Sequence, residues 1–169
     1  MPEKPLPQPP RPLSPEAEGA VELQAEPGHL IRRAHQAAVS TFHETHGRQV
    51  TPVQYAILRA LQGSPGIDQV TLADKVALDT STTADIATRL EAKGWIVREL
   101  LPRRQRALRL TPEGDAVLAH MLPRVAPMYR QLLAPLEPAE QAEFLRLLRK
   151  FVQFNTPSPS DPDSGKPEG

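Results

Sequence analysis

The chain has 169 residues, no cysteine, and 20 basic residues against 20 acidic ones, so its formal net charge is zero. Without cysteine it has no disulfide, thiolate metal site or thiol redox sensor. No apolar run approaches the ~20 residues of a membrane span, and the N-terminus lacks an apolar signal core, so the expectation is a cytoplasmic protein.

Proline marks the ends. Pro2, Pro5, Pro7, Pro9, Pro10, Pro12 and Pro15 crowd the start, and Pro157, Pro159, Pro162 and Pro167 crowd the finish. Neither stretch has the apolar periodicity needed to offset the entropy of ordering. Residues 1–27 and 155–169 therefore read as disordered tails around one folded domain at 28–154. Pro5–Pro10 fits a polyproline ligand as well as a plain solvated tail.

A first helix is predicted from Gly28 to Thr45, with Ile31, Ala34, Ala38 and Phe42 at helical spacing and Gly47 as its stop. Thr51-Pro52 starts a second, with Thr51 as cap and Val53, Ala56, Ile57, Ala60 and Leu61 inward, and Gly63-Ser64-Pro65-Gly66 ends it. Two short helices follow. One spans Thr71–Ala77, with Leu72, Ala73 and Val76 inward. The other spans Ser81–Lys93, capped by Thr80 or Ser81, with Ala84, Ile86, Ala87 and Leu90 inward and Gly94 in the left-handed position after it. A hairpin is then expected, with strands Trp95–Leu100 and Gln105–Leu110 and a turn near Pro102–Arg104. Thr111-Pro112-Glu113 opens a long helix to about Leu133, in which Pro123 and Pro127 are awkward, and Pro138 opens the last helix, to 154. The fold class is mainly α with a small β-hairpin wing: a winged helix-turn-helix plus long helices.

Zero net charge does not exclude nucleic acid, because charge is local. Between Arg89 and Arg109 the cations Arg89, Lys93, Arg98, Arg103, Arg104, Arg106 and Arg109 face only Glu91 and Glu99. Thr80, Ser81, Thr82 and Thr83 open the second helix of the helix-turn-helix, where short hydroxyl side chains suit phosphate or base contacts. Arg89 lies on the same helix, and Asp85 stands one turn before it; its charge repels phosphate but suits either a cytosine amine or a brace for Arg89. Arg103, Arg104 and Arg106 sit at or near the wing tip. The bland alternatives are a plain cap and an edge strand guarded by charge.

The order of elements, with Leu72-Ala73-Asp74-Lys75-Val76, the run from Arg89 to Arg98 through Lys93-Gly94, and Arg103 to Gly114 ending in Leu-Thr-Pro-Glu-Gly, resembles the MarR family of bacterial transcription regulators. Pro102 stands where that family usually has an Asp bracing the wing arginines, and the wing is shorter. The resemblance implies a non-enzymatic regulator with its DNA-binding core at about 51–111, a wing arginine in the minor groove, and a homodimer built on the first and last helices. That dimer would read a pseudo-palindromic operator with half-sites about one helical turn apart. Repression by such a protein is released by a small effector. Residues 28–36 with Thr51–Ala56 resemble a subgroup that includes regulators of nicotinate degradation, which implies a small aromatic carboxylate. Its candidate contacts are Arg32 and His35 on the first helix and Gln54 and Tyr55 on the second; no cofactor is implied. Two other readings stay open. His29, His35, His43 and His46 allow a zinc-responsive regulator, and the wing with its Pro-rich tails allows a protein-interaction module.

Overall fold

A computed structural model describes residues 22–100 and 106–155, which divide into two compact units after Gln36. The tails at 1–21 and 156–169, expected to be disordered, and the wing turn at 102–104 lie outside the described residues. In the first unit Leu23–Ala25 forms a single 3-10 turn, closed by Ala25 N–H to the Glu22 carbonyl (2.7 Å), where the sequence reads as tail. Helix α1 (Pro27–His46) follows and runs on into the second unit. Leu30 and Ile31 on its first half are exposed.

The second unit holds α2 (Pro52–Gly63), β1 (Ile67–Asp68), α3 (Gln69–Lys75), α4 (Thr80–Ala92), β2 (Ile96–Leu100), β3 (Arg106–Leu110), α5 (Pro112–Leu133) and α6 (Pro138–Asn155). Thr51 caps α2 as expected, and Gln54 closes a capping box with it. Helix α5 continues through both internal prolines.

The sheet has three antiparallel strands, ordered β1-β3-β2, rather than the two of a bare hairpin. β2 and β3 pair in the register Ile96 to Leu110 and Arg98 to Leu108. β1, only two residues long, pairs Ile67 with Leu108. That length is below anything a period-2 pattern can reveal.

The main core joins Ile57, Leu58 and Leu61 of α2 to Leu72 of α3, Ala87 and Leu90 of α4, Ile96 and Leu108 of the sheet, and Leu118 of α5. A second cluster joins Phe42 and Val50 to Met121 and Met128 of α5, with Tyr55, Val117 and Trp95 packed against both. Burying such side chains contributes about 1.5–3 kcal/mol each. The winged domain therefore seats α4 firmly on one face and leaves its other face to solvent.

Candidate nucleic-acid interface

Asp68 caps α3 and Asp79 caps α4. Asp79 Oδ1 accepts from the Thr82 N–H (2.8 Å) and the Ser81 hydroxyl (2.7 Å), while Oδ2 accepts from the Thr82 hydroxyl (2.6 Å). The cap is therefore Asp79, not Thr80 or Ser81 as the hydroxyl run suggested. A carboxylate beside a helix N-terminus accepts more strongly than a neutral hydroxyl. The turn before it, closed by Leu78 N–H to the Ala73 carbonyl (3.0 Å), puts Ala77 in the left-handed region at φ 54°.

The Thr82 hydroxyl, then the Thr82 N–H and the Ser81 hydroxyl, hold the Asp79 carboxyl well below the usual carboxylate range. A depressed carboxyl stabilises the fold fully above its unfolded pKa, and that contribution fades as pH falls towards the folded value. Asp79→Ala is therefore expected to melt below the wild type near neutral pH. The gap should start to narrow as pH falls below about 5 and should go on narrowing towards about pH 2. Melting curves across that range check it; a gap equal at every pH would refute the charged cap.

Of the four hydroxyl residues expected to face DNA, Thr83 does not. It is fully buried, and its hydroxyl donates to the Asp79 carbonyl (2.9 Å). Thr83, Ala87 and Leu90 recur at i, i+4 and i+7 and make the inward face of α4, while Ala84 and Ile86 are only half-buried. That spacing is present in the sequence, but threonine's polarity hides it. Thr80 and Ser81 are exposed, and Thr82 is half-buried. Ser81, Asp85 and Arg89 recur every four residues as an exposed stripe. Among the described residues no ion pair joins Asp85 to Arg89, so of the two readings of Asp85 the brace is absent.

The basic run is only partly directed outward. Lys93 Nζ donates to the Gln49 carbonyl (2.8 Å) and sits 4.3 Å above the Trp95 ring. Arg98 reaches back to α4, donating to Thr88 Oγ1 (2.6 Å) and lying 3.3 Å from a Glu91 oxygen. Arg109 Nε donates to Glu99 (2.9 Å) across the wing strands. Its guanidinium lies over Gly66, whose φ of +82° favours glycine. The Glu99 pair braces the wing from a different position than the missing Asp at 102. Arg103 and Arg104 lie outside the described residues, and Arg106 opens β3 opposite Leu100.

The expected effector residues fall in both units. In the first, Arg32 and His35 are exposed, and Arg32 Nη1 donates to Gln36 (3.0 Å). In the second, Gln54 is buried, and its Oε1 accepts from the Thr51 N–H (3.2 Å). Tyr55 is half-buried, 5.7 Å from the Phe42 ring and stacked on His46 at 6.4 Å. Burial raises its phenol pKa. From the sequence, His46 is no more than a surface metal candidate. In the fold both its ring nitrogens are buried without a hydrogen-bond partner, and burial, then Arg124 and His120, lower its pKa. His43 Nδ1 instead donates to the Gly47 carbonyl (3.1 Å). Among the described residues no three His, Asp or Glu side chains gather as a metal site.

Comparisons with known proteins agree with this geometry. A family model described as the MarR family matches residues 50–108, from the start of α2 into β3. The transcriptional regulator HosA of Escherichia coli is 35% identical over 105 residues, covering 61% of this chain and 78% of that protein. The PcaV regulator of Streptomyces coelicolor, solved with its natural ligand, is 39% identical with a TM-score of 0.75, covering 80% of this chain and 97% of that one. BpsR of Bordetella bronchiseptica, whose structure concerns regulation of its DNA binding by 6-hydroxynicotinic acid, is 29% identical with a TM-score of 0.74, covering 80% and 99%.

Proposed function

The chain belongs to the MarR family of transcription regulators, and from that premise we propose that it represses its target promoter as a homodimer until a small aromatic carboxylate releases it. It is a DNA-binding winged helix-turn-helix protein and not an enzyme. The observation that carries the reading is the exposed stripe Ser81–Asp85–Arg89 on a helix whose opposite face is locked in the core. A helix so placed, beside a wing bearing Arg103, Arg104 and Arg106, suits a major groove with a flanking minor groove. The proposed base and phosphate contacts are Thr80, Ser81, Thr82 and Arg89 with the wing arginines; Thr83 is removed from that set by its burial.

Dimerisation is supported by apolar surface that the monomer leaves open. Phe144, Leu147 and Leu148 of α6 are exposed, as are Leu30 and Ile31 of α1. No helix among the described residues is long and apolar enough to cross a membrane, in keeping with a cytoplasmic site of action beside DNA.

The effector reading rests on PcaV and BpsR together with the ring wall of Tyr55, Phe42 and His46. Its proposed contacts are those the sequence resemblance implies, Arg32 and His35 in the first unit and Gln54 and Tyr55 in the second. A ligand releases DNA only through its preference for the DNA-incompetent state, a coupling of about 1–3 kcal/mol. The test is an anisotropy titration against DNA upstream of the protein's own gene, repeated with 6-hydroxynicotinate, salicylate and zinc added separately. One aromatic acid should weaken binding by about 5–150-fold. Arg32→Ala and Tyr55→Phe should each blunt that release without changing DNA affinity. Release by zinc alone, or by no acid, would sink the reading.

A further inference from the structure

Arg98 stands on the first long strand of the wing, yet its guanidinium turns away from solvent and is 15% exposed. Nη2 donates to Thr88 Oγ1 (2.6 Å) and to the Ala84 carbonyl (3.2 Å). Nε faces Glu91 Oε2 at 3.3 Å, where its N–H finds no hydrogen-bond geometry, so charge alone holds that arm. The Thr88 hydroxyl in turn donates to the Ala84 carbonyl (2.9 Å). Ala84, Thr88 and Glu91 recur at i, i+4 and i+7, so one guanidinium grips two turns along a single flank of α4. The exposed stripe of Ser81, Asp85 and Arg89 is the next row round the helix.

Apart from one hydrogen bond at each end, from Gln69 Nε2 to the Thr80 carbonyl (3.4 Å) and from the Trp95 N–H to the Leu90 carbonyl (3.0 Å), the remaining anchors of α4 are of a different kind. Thr83, Ala87 and Leu90 press its inner face into the core. Apolar burial is non-directional and resists rolling of a helix about its axis poorly. Charged hydrogen bonds are directional, and arginine's planar fork fixes angles that a point charge does not. We propose that Arg98 is a positioning residue for base reading. It locks the roll of α4 against the wing, so that the stripe and the wing arginines meet the DNA in one register. Its charge then serves discrimination between sequences rather than attraction to phosphate.

The experiment selects a duplex from a random pool with the full-length wild type. It then measures anisotropy on that duplex and on a scrambled one across a range of salt. Arg98→Met is expected to lose about tenfold or more on the selected duplex, in the range of a mismatched base pair. Its affinity for the scrambled duplex should hold within about twofold, with an unchanged salt slope. Glu91→Gln is a test of sign and lies on exposed surface, so it remains informative if Arg98→Met fails to fold. Removing a carboxylate near DNA strengthens binding to every duplex by electrostatics alone, whereas loosening the clamp weakens binding to the selected duplex. The proposal is overturned if Arg98→Met weakens both duplexes equally and lowers the salt slope, the signature of a phosphate contact. It is equally overturned if Glu91→Gln tightens both duplexes alike, or if neither variant changes the ratio between them.

Discussion

A Gly114→Ala protein is expected to melt at least about 10 °C below the wild type, a loss of more than about 3 kcal/mol. Gly114 lies in the first turn of α5, and a Cβ there would sit 2.0 Å from the Trp95 carbonyl oxygen and 3.2 Å from its Cα. Both are backbone atoms, held from two sides. The Trp95 N–H donates to the Leu90 carbonyl (3.0 Å), closing the C-terminus of α4, and the Trp95 carbonyl accepts from the Thr111 N–H (3.1 Å). Thr111 Oγ1 donates to the Gly94 carbonyl (2.6 Å) and accepts from the Gly114 N–H (3.1 Å). The Leu-Thr-Pro-Glu-Gly run is thus a joint between α4 and the long α5, and a methyl group wedges it open. Gly63→Ala is the control, since nothing lies within 4 Å of its added carbon. Urea and thermal unfolding of the two variants make the comparison, and Trp95, the single tryptophan, reports on the joint by its emission. If Gly114→Ala melts within a degree or two of Gly63→Ala, the close approach does not govern this position.

The second large effect is on binding. Replacing Arg103, Arg104 and Arg106 together by alanine is expected to lower operator affinity on the order of 10³-fold at physiological salt. The plot of log affinity against log salt should flatten by about 0.9 for each phosphate that the variant no longer neutralises. The fold sharpens this expectation by removing competitors. Lys93, Arg98 and Arg109 are held by Gln49, by Thr88 with Glu91, and by Glu99. In the proposed interface, attraction to phosphate then falls to Arg89 and the wing arginines. Arg109→Gln should accordingly change the salt slope less than removal of any one wing arginine. A triple variant that still binds with a wild-type slope would mean that the wing does not touch DNA.

The features legible in the sequence are those whose causes are local. Thr51-Pro52 and Thr111-Pro112 are caps because a hydroxyl satisfies an N–H three residues on and proline needs no partner in the first turn. Gly47 and Gly94 end helices at φ of +74° and +71° because only glycine enters that region freely. Helical spacing locates the apolar faces of α2 and α5, and the order of elements is enough to place the chain among winged helix-turn-helix regulators. The choice of Asp79 over its hydroxyl neighbours as the cap also has a local cause, the stronger acceptor, although the hydroxyl run pointed elsewhere.

Other features have no local cause. Lys93 bonds a carbonyl 44 residues away, Arg98 bonds a helix ten residues before it, and β1 exists only because β3 lies alongside to pair with it. Composition counts those cations as one basic surface. The fold decides which of them are tied within the chain, because that depends on whether a carboxylate, carbonyl or hydroxyl comes within about 3 Å. The sequence by itself determined the helices, the caps at Thr51 and Thr111, and the family. Only the tertiary structure decided that Thr83 belongs to the core and Arg98 to the clamp, since burial and partnership depend on which distant residues folding brings together.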